Sequence, residues 1–76
     1  MENKKLINIF KKITLKDIVQ KESMLQADLG MDSLAFTRLV IAIEEEFKVR
    51  FDDDYLELEA FTDVNSVYEY IMLLKE

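Results

Sequence analysis

The sequence predicts an all-α fold, a small four-helix bundle with three longer helices and a short third one. Three observations carry that prediction. The 76 residues contain no proline and one glycine, so the punctuation that hairpins require is missing. Apolar residues recur at three- and four-residue spacing in three separate stretches, the period of an amphipathic helix. Half of the residues are hydrophobic, enough for one modest core, and the length leaves no room for a second.

The elements follow in chain order. Leu6, Ile9, Phe10 and Ile13 form an apolar stripe with Lys4, Lys5, Lys11 and Lys12 around it, which predicts a first helix over residues 3–13. Residues 14–32 form a long connection. A helical turn is expected near residues 14–19, with Leu15, Ile18, Val19, Met24 and Leu25 pinning the connection to the core. Gly30, a turn residue suited to positive φ, precedes Asp32 and Ser33, either of which can cap a following helix by accepting a backbone N–H bond. The second helix runs from there to Phe47, with Phe36, Leu39, Val40, Ile43 and Phe47 turned inward. Residues 48–51 connect to a short third helix expected within residues 52–60, where acidic residues at the start favour the helix dipole. Thr62 or Asp63 then caps a fourth helix over residues 64–75, with the stripe Val64, Val67, Tyr68, Ile71 and Leu74. The aromatics Phe36, Phe47, Phe51, Phe61 and Tyr68 are expected in the core.

Composition excludes several functions. The chain has no cysteine and no histidine, so a disulfide framework, a thiolate zinc site and the commonest general base are all missing. With so little from which to build a water-excluding cleft, the sequence does not read as an enzyme. Ten basic against sixteen acidic residues leave a net charge of −6, which repels nucleic acid phosphates and anionic lipid and favours basic protein partners. The charge is uneven. Residues 1–21 carry six lysines against Glu2 and Asp17, whereas residues 44–63 carry nine acids against Lys48 and Arg50. No apolar run spans a membrane and the N-terminus is too interrupted for an export signal, so the expectation is a cytoplasmic protein; a single domain over residues 1–76, monomeric and free-standing, is expected as well. Asp52, Asp53 and Asp54 do not satisfy a calcium-loop pattern, since no glycine and no closing glutamate follow at the required positions. No metal site is expected.

The informative segment is Asp28-Leu29-Gly30-Met31-Asp32-Ser33-Leu34. A serine hydroxyl at a helix start beside a glycine loop is reachable by another protein, and free backbone N–H groups there favour an attached anion. No base adjoins Ser33 in sequence, so it suits an acceptor of chemistry done by a partner rather than a self-activated nucleophile. Gly-Met-Asp-Ser-Leu resembles the attachment motif of acyl carrier proteins, the run Leu39 to Phe47 is similar to the rest of that family's second helix, and Phe61 to Ile71 resembles its last helix. The resemblance implies that Ser33 receives 4′-phosphopantetheine from coenzyme A through a magnesium-dependent phosphopantetheinyl transferase, with Asp32 as cap or as a contact to the transferase's metal. It implies further that the arm's thiol carries acyl intermediates as thioesters to acyltransferases and synthases of fatty acid or polyketide synthesis. Three departures stand out: Ala35 and Arg38 where the fatty-acid branch has acids, and a proline-free segment before the last helix. These leave the attachment chemistry untouched and fit a carrier for a specialised pathway at least as well.

Leu34, Arg38, Ile41 and Glu45 share one face of the second helix, turned away from the Leu39, Ile43, Phe47 stripe. Two apolar residues beside the modified serine, bordered by carboxylates, suit a docking surface for enzymes with basic patches. Glu44, Glu45 and Glu46 sit at a helix C-terminus, where negative charge is unfavourable, and a cost without local compensation points to a cationic partner. Two other readings remain open at this point: a peptidyl or aminoacyl carrier using the same arm, and an unmodified acidic helical adaptor.

Overall fold

The computed structural model describes residues 2–75, with side chains from residue 4 onward. Three α-helices, α1 (Glu2–Thr14), α2 (Ser33–Phe47) and α3 (Val64–Leu74), are accompanied by two 3₁₀ turns, Asp53–Tyr55 and Leu58–Ala60, between α2 and α3. The all-α expectation therefore holds, but the short third helix of a four-helix bundle does not form as one element. Its place is taken by two single turns. Asp53 and Asp54 are poor helix-interior residues that repel one another, and the segment must bury Leu58 while Tyr55 and Leu56 stay largely exposed.

The helix ends follow from local chemistry. α1 closes with the Thr14 hydroxyl donating to the Phe10 carbonyl at 2.7 Å, and Leu15 then turns into the left-handed region at φ +59°. α2 ends where Lys48 adopts φ 59° and ψ 47° and its N–H donates to the Glu44 carbonyl. Of the two candidate caps for α3, Asp63 is the one used. Its carboxylate accepts from the Ser66 N–H at 2.8 Å and the Ser66 hydroxyl accepts from the Asp63 N–H, a reciprocal capping box.

The core is apolar throughout: Leu6 and Phe10 from α1, Phe36, Leu39 and Ile43 from α2, and Val64, Val67 and Ile71 from α3 are almost or fully enclosed. Among the described residues no polar or charged side chain is buried. Tyr68 is only half-buried, and Tyr70 is the enclosed tyrosine of α3. Its hydroxyl accepts from the Asp52 N–H at 2.9 Å, which lets a polar tip sit at the edge of an apolar body.

The long connection departs most from expectation. No helical turn forms over residues 15–19, and Leu15, Ile18 and Met24 lie exposed instead of pinning it. Val19 and Leu25 do pin it, joined by Leu29 and Met31. Backbone bonds then stitch the connection to the start of α3. The Leu25 N–H donates to Thr62 O, Val64 N–H to Ser23 O and Asn65 N–H to Lys21 O, all within 3.1 Å, around a bridge between Met24 and Asp63. Among the described residues no helix is long and apolar enough to cross a membrane.

Candidate functional site

The segment that leads into α2 is built to hold one residue at the surface. Leu29 and Met31 are buried on the near side and Phe36 on the far side, so the backbone between them is clamped while Asp32, Ser33 and Leu34 face solvent. Asp28 braces the preceding turn, its carboxylate accepting from the Met24 N–H at 2.7 Å. Gly30 supplies the reversal at φ +62°, a conformation in which an L side chain crowds the following carbonyl. A Cβ there would meet nothing within 4 Å, so the demand for glycine is one of backbone angle alone.

Asp32 is the N-cap of α2: its Oδ1 accepts from the Ala35 N–H at 2.8 Å, and its carbonyl accepts from Phe36 N–H. Ser33 is therefore the first residue of the helix, exposed, and its hydroxyl makes no hydrogen bond among the described residues. The N–H groups of Ser33 and Leu34 likewise have no acceptor among the described residues, as the first turn of a helix dictates. A phosphodiester on the Ser33 oxygen would find two open donors and the positive end of a 15-residue helix beside it. Asp32 still presents Oδ2, which has no bond among the described residues, to an approaching molecule. Replacing Asp32 by Ala should cost about 1 kcal/mol of stability through the lost cap, whereas Asn, an equally good cap, should cost almost nothing; urea denaturation checks both.

The adjoining face of α2 matches the sequence reading in part. Leu34 is 63% exposed and Ile41 52%, large values for their type, and Arg38 and Glu45 are exposed on the same strip. Thr37 lies on it too, its hydroxyl donating to the Ser33 carbonyl at 3.0 Å; its spacing of four from Ser33 is the signal that would have found it. Glu44 requires correction. Its carboxylate accepts from the Phe51 N–H at 2.9 Å and is half-buried, so its charge at the helix end has the local compensation that sequence reasoning denied it. Glu46 sits 3.7 Å from Lys5 of α1, an exposed ion pair of small consequence. Ala35 packs against the core, so an acid there would be out of place in this chain.

Five of the eight aromatic residues, Phe36, Phe51, Tyr55, Phe61 and Tyr70, gather in one cluster. Phe61 has ring neighbours at 5.8 Å (Phe36), 6.0 Å (Phe51), 6.0 Å (Tyr55) and 5.5 Å (Tyr70), and Tyr55 stacks on Tyr70 at 4.4 Å. Tyr55 and Tyr70 were not foreseen as members. The cluster fixes the two 3₁₀ turns to α2 and α3 and keeps the rings occupied with one another.

The sequence is similar to those of known proteins. A family model described as the phosphopantetheine attachment site matches residues 4–71. The acyl carrier protein of Desulforapulum autotrophicum is 37% identical over 59 residues, covering 78% of this chain and 73% of that protein. The acyl carrier protein of Campylobacter fetus subsp. fetus is 42% identical over 60 residues, 79% of this chain and 75% of the relative. That of Campylobacter lari is 38% identical over 61 residues, 80% and 77% of the two chains.

Proposed function

Because the chain belongs to the phosphopantetheine-attachment family of acyl carrier proteins, carriers rather than enzymes whose cofactor is 4′-phosphopantetheine, we propose that Ser33 is its attachment residue and that the loaded protein delivers acyl groups to synthases. The observation that carries this reading is the exposed Ser33 hydroxyl at the first position of α2, unbonded among the described residues and bracketed by the buried Met31 and Phe36. When bound, the group supplies a thiol on a flexible arm, and tethering raises the effective concentration of substrate at each docked enzyme. The work of the chain itself is to present the hydroxyl, offer the Ser33 and Leu34 N–H groups to the attached phosphate, and expose the Asp32 carboxylate to the transferase's metal.

Leu34, Arg38, Ile41 and Glu45 form the docking strip for the transferase and for enzymes with basic patches. Glu45 supplies steering, and Leu34 with Ile41 supplies apolar contact that a transient partner can cover and leave. Glu45→Lys should slow association with such an enzyme by roughly threefold to tenfold at low salt, an effect that fades as exposed charges are screened, with no change in melting temperature. Stopped-flow measurements across a salt series check this; a rate indifferent to both charge and salt would remove the steering. Glu44→Lys is not an equivalent test, since it breaks the bond to Phe51.

The test of the whole reading is direct. The unmodified protein is incubated with a phosphopantetheinyl transferase, coenzyme A and magnesium, and its intact mass is measured. A gain of one phosphopantetheinyl group, located by peptide mapping to Ser33, supports the proposal. An unchanged mass, with a transferase shown to modify another carrier in the same tube, overturns it and leaves the unmodified adaptor. Loading of the modified protein from acyl donors, and not from aminoacyl donors, separates the fatty acid or polyketide carrier proposed here from a peptidyl carrier.

A further inference from the structure

We infer that the C-terminal end of α1 is a second docking surface, which takes an acidic protein segment bearing an apolar side chain. The inference does not rest on attachment at Ser33. It starts from Leu15, which stands in the left-handed region at φ +59°, where a helix normally ends on glycine or asparagine because a Cβ crowds the following carbonyl. The structure gains no burial in exchange, since Leu15 is 87% exposed. Lys48 ends α2 in the same left-handed conformation, so what sets Leu15 apart is the large apolar side chain that this turn holds in solvent. Ile18 is 76% exposed close by, and these two are the most exposed large hydrophobic residues among those described.

The surroundings choose the occupant. Leu15 lines an open groove of about 530 Å³ with Asn8, Lys11, Lys12, Lys16 and Asp17. Lys11, Lys12 and Lys16 stand here with Asp17, Lys12 also bordering Glu45 and Glu46 on its other side, and the three lysines have no ion pair among the described residues. That local field is positive in a chain whose net charge is −6, so an acidic ligand is attracted here and repelled elsewhere. An extended anionic lipid surface would face the whole body of charge −6 and be repelled, whereas a short acidic segment can meet the lysines and the exposed leucine alone. A second copy of the chain has acids beside exposed Tyr55 and Leu56, but two bodies of charge −6 repel as wholes.

The full-length chain, isotope-labelled and unmodified, is titrated at low salt with a short peptide of glutamate and leucine at helical spacing, and amide shifts are followed. Saturable shifts confined to residues 8–18, with Kd below ~1 mM, support the surface. Leu15→Gly should weaken binding at least tenfold while raising the melting temperature by about 4 °C, because glycine relieves the left-handed strain. Reversing Lys11, Lys12 and Lys16 to Glu should abolish binding. The inference is overturned by shifts outside this region, by no binding, by full affinity in Leu15→Gly, or by a lower melting temperature in that variant. It is equally overturned if phosphatidylglycerol vesicles engage these residues more tightly than the peptide, or if they mediate a concentration-dependent dimer by sedimentation.

Discussion

Ser33→Ala is expected to emerge from incubation with transferase, coenzyme A and magnesium at its starting mass, with a melting curve matching the unmodified parent. The two halves of that result separate function from fold. The hydroxyl is exposed and makes no hydrogen bond among the described residues, so its removal leaves nothing buried or unpaired. Capping of α2 belongs to Asp32, through its 2.8 Å bond from the Ala35 N–H, and alanine is the best helix former at the vacated position. The stability change should therefore stay within about 0.5 kcal/mol while acceptance of the arm falls to zero. Asp32→Asn completes the contrast. It keeps the cap and the melting temperature, removes the charge, and should slow modification if Asp32 touches the transferase's metal. An Asp32→Asn protein modified at the parent's rate would reduce Asp32 to a cap. A Ser33→Ala protein that still gained mass would move attachment to another residue.

How much of this was legible in the sequence depends on which physical signal each residue carries. Helices α1, α2 and α3 were readable because periodic apolar positions and an explicit cap (Asp32 for α2, Asp63 for α3) point the same way. Ser33 was readable as a candidate from a short motif, and its exposure followed from standing at a helix start. The long connection was not readable, because apolar identity does not say which way an irregular backbone points. Leu15 lost its place in the core to a single left-handed φ, while Leu29 and Met31 gained theirs through turns fixed by bonds to Thr62 and from Val64. Glu44 illustrates a different limit. Its role depends on a partner seven residues away that only the fold brings to its carboxylate. Tyr68 and Tyr70 stand about 160° apart around α3, one on each flank of the Val67 and Ile71 ridge, and which flank turns inward is set by where Asp52 and the other rings lie.

Phe61→Ala should be the most damaging single substitution in the aromatic cluster. Phe61 is 6% exposed and has four ring neighbours within 6.0 Å. Removing a buried phenyl costs about 3–5 kcal/mol, from lost burial and the cavity left behind. A domain of this size has roughly 4–11 kcal/mol in total, so the variant should lose about a quarter or more of its stability and show a much lower urea midpoint. Phe61→Leu, which retains most of the volume, should lose much less. Tyr55→Ala offers an internal control: Tyr55 is stacked at 4.4 Å on Tyr70 yet 40% exposed, so its loss should cost about 1 kcal/mol. The consequence reaches Ser33, the proposed attachment residue, because Thr62, next to Phe61, accepts the Leu25 N–H bond that ties down the connection running to it. Hydrogen exchange at Leu25 and Met31 should accelerate in Phe61→Ala well before the amides inside α2 respond. If exchange rises uniformly, the cluster supports the whole bundle without a special hold on the loop. A loss under about 1 kcal/mol would mean that the rings merely cover the surface, and that the two 3₁₀ turns are held to α2 and α3 by Leu58 and the backbone instead.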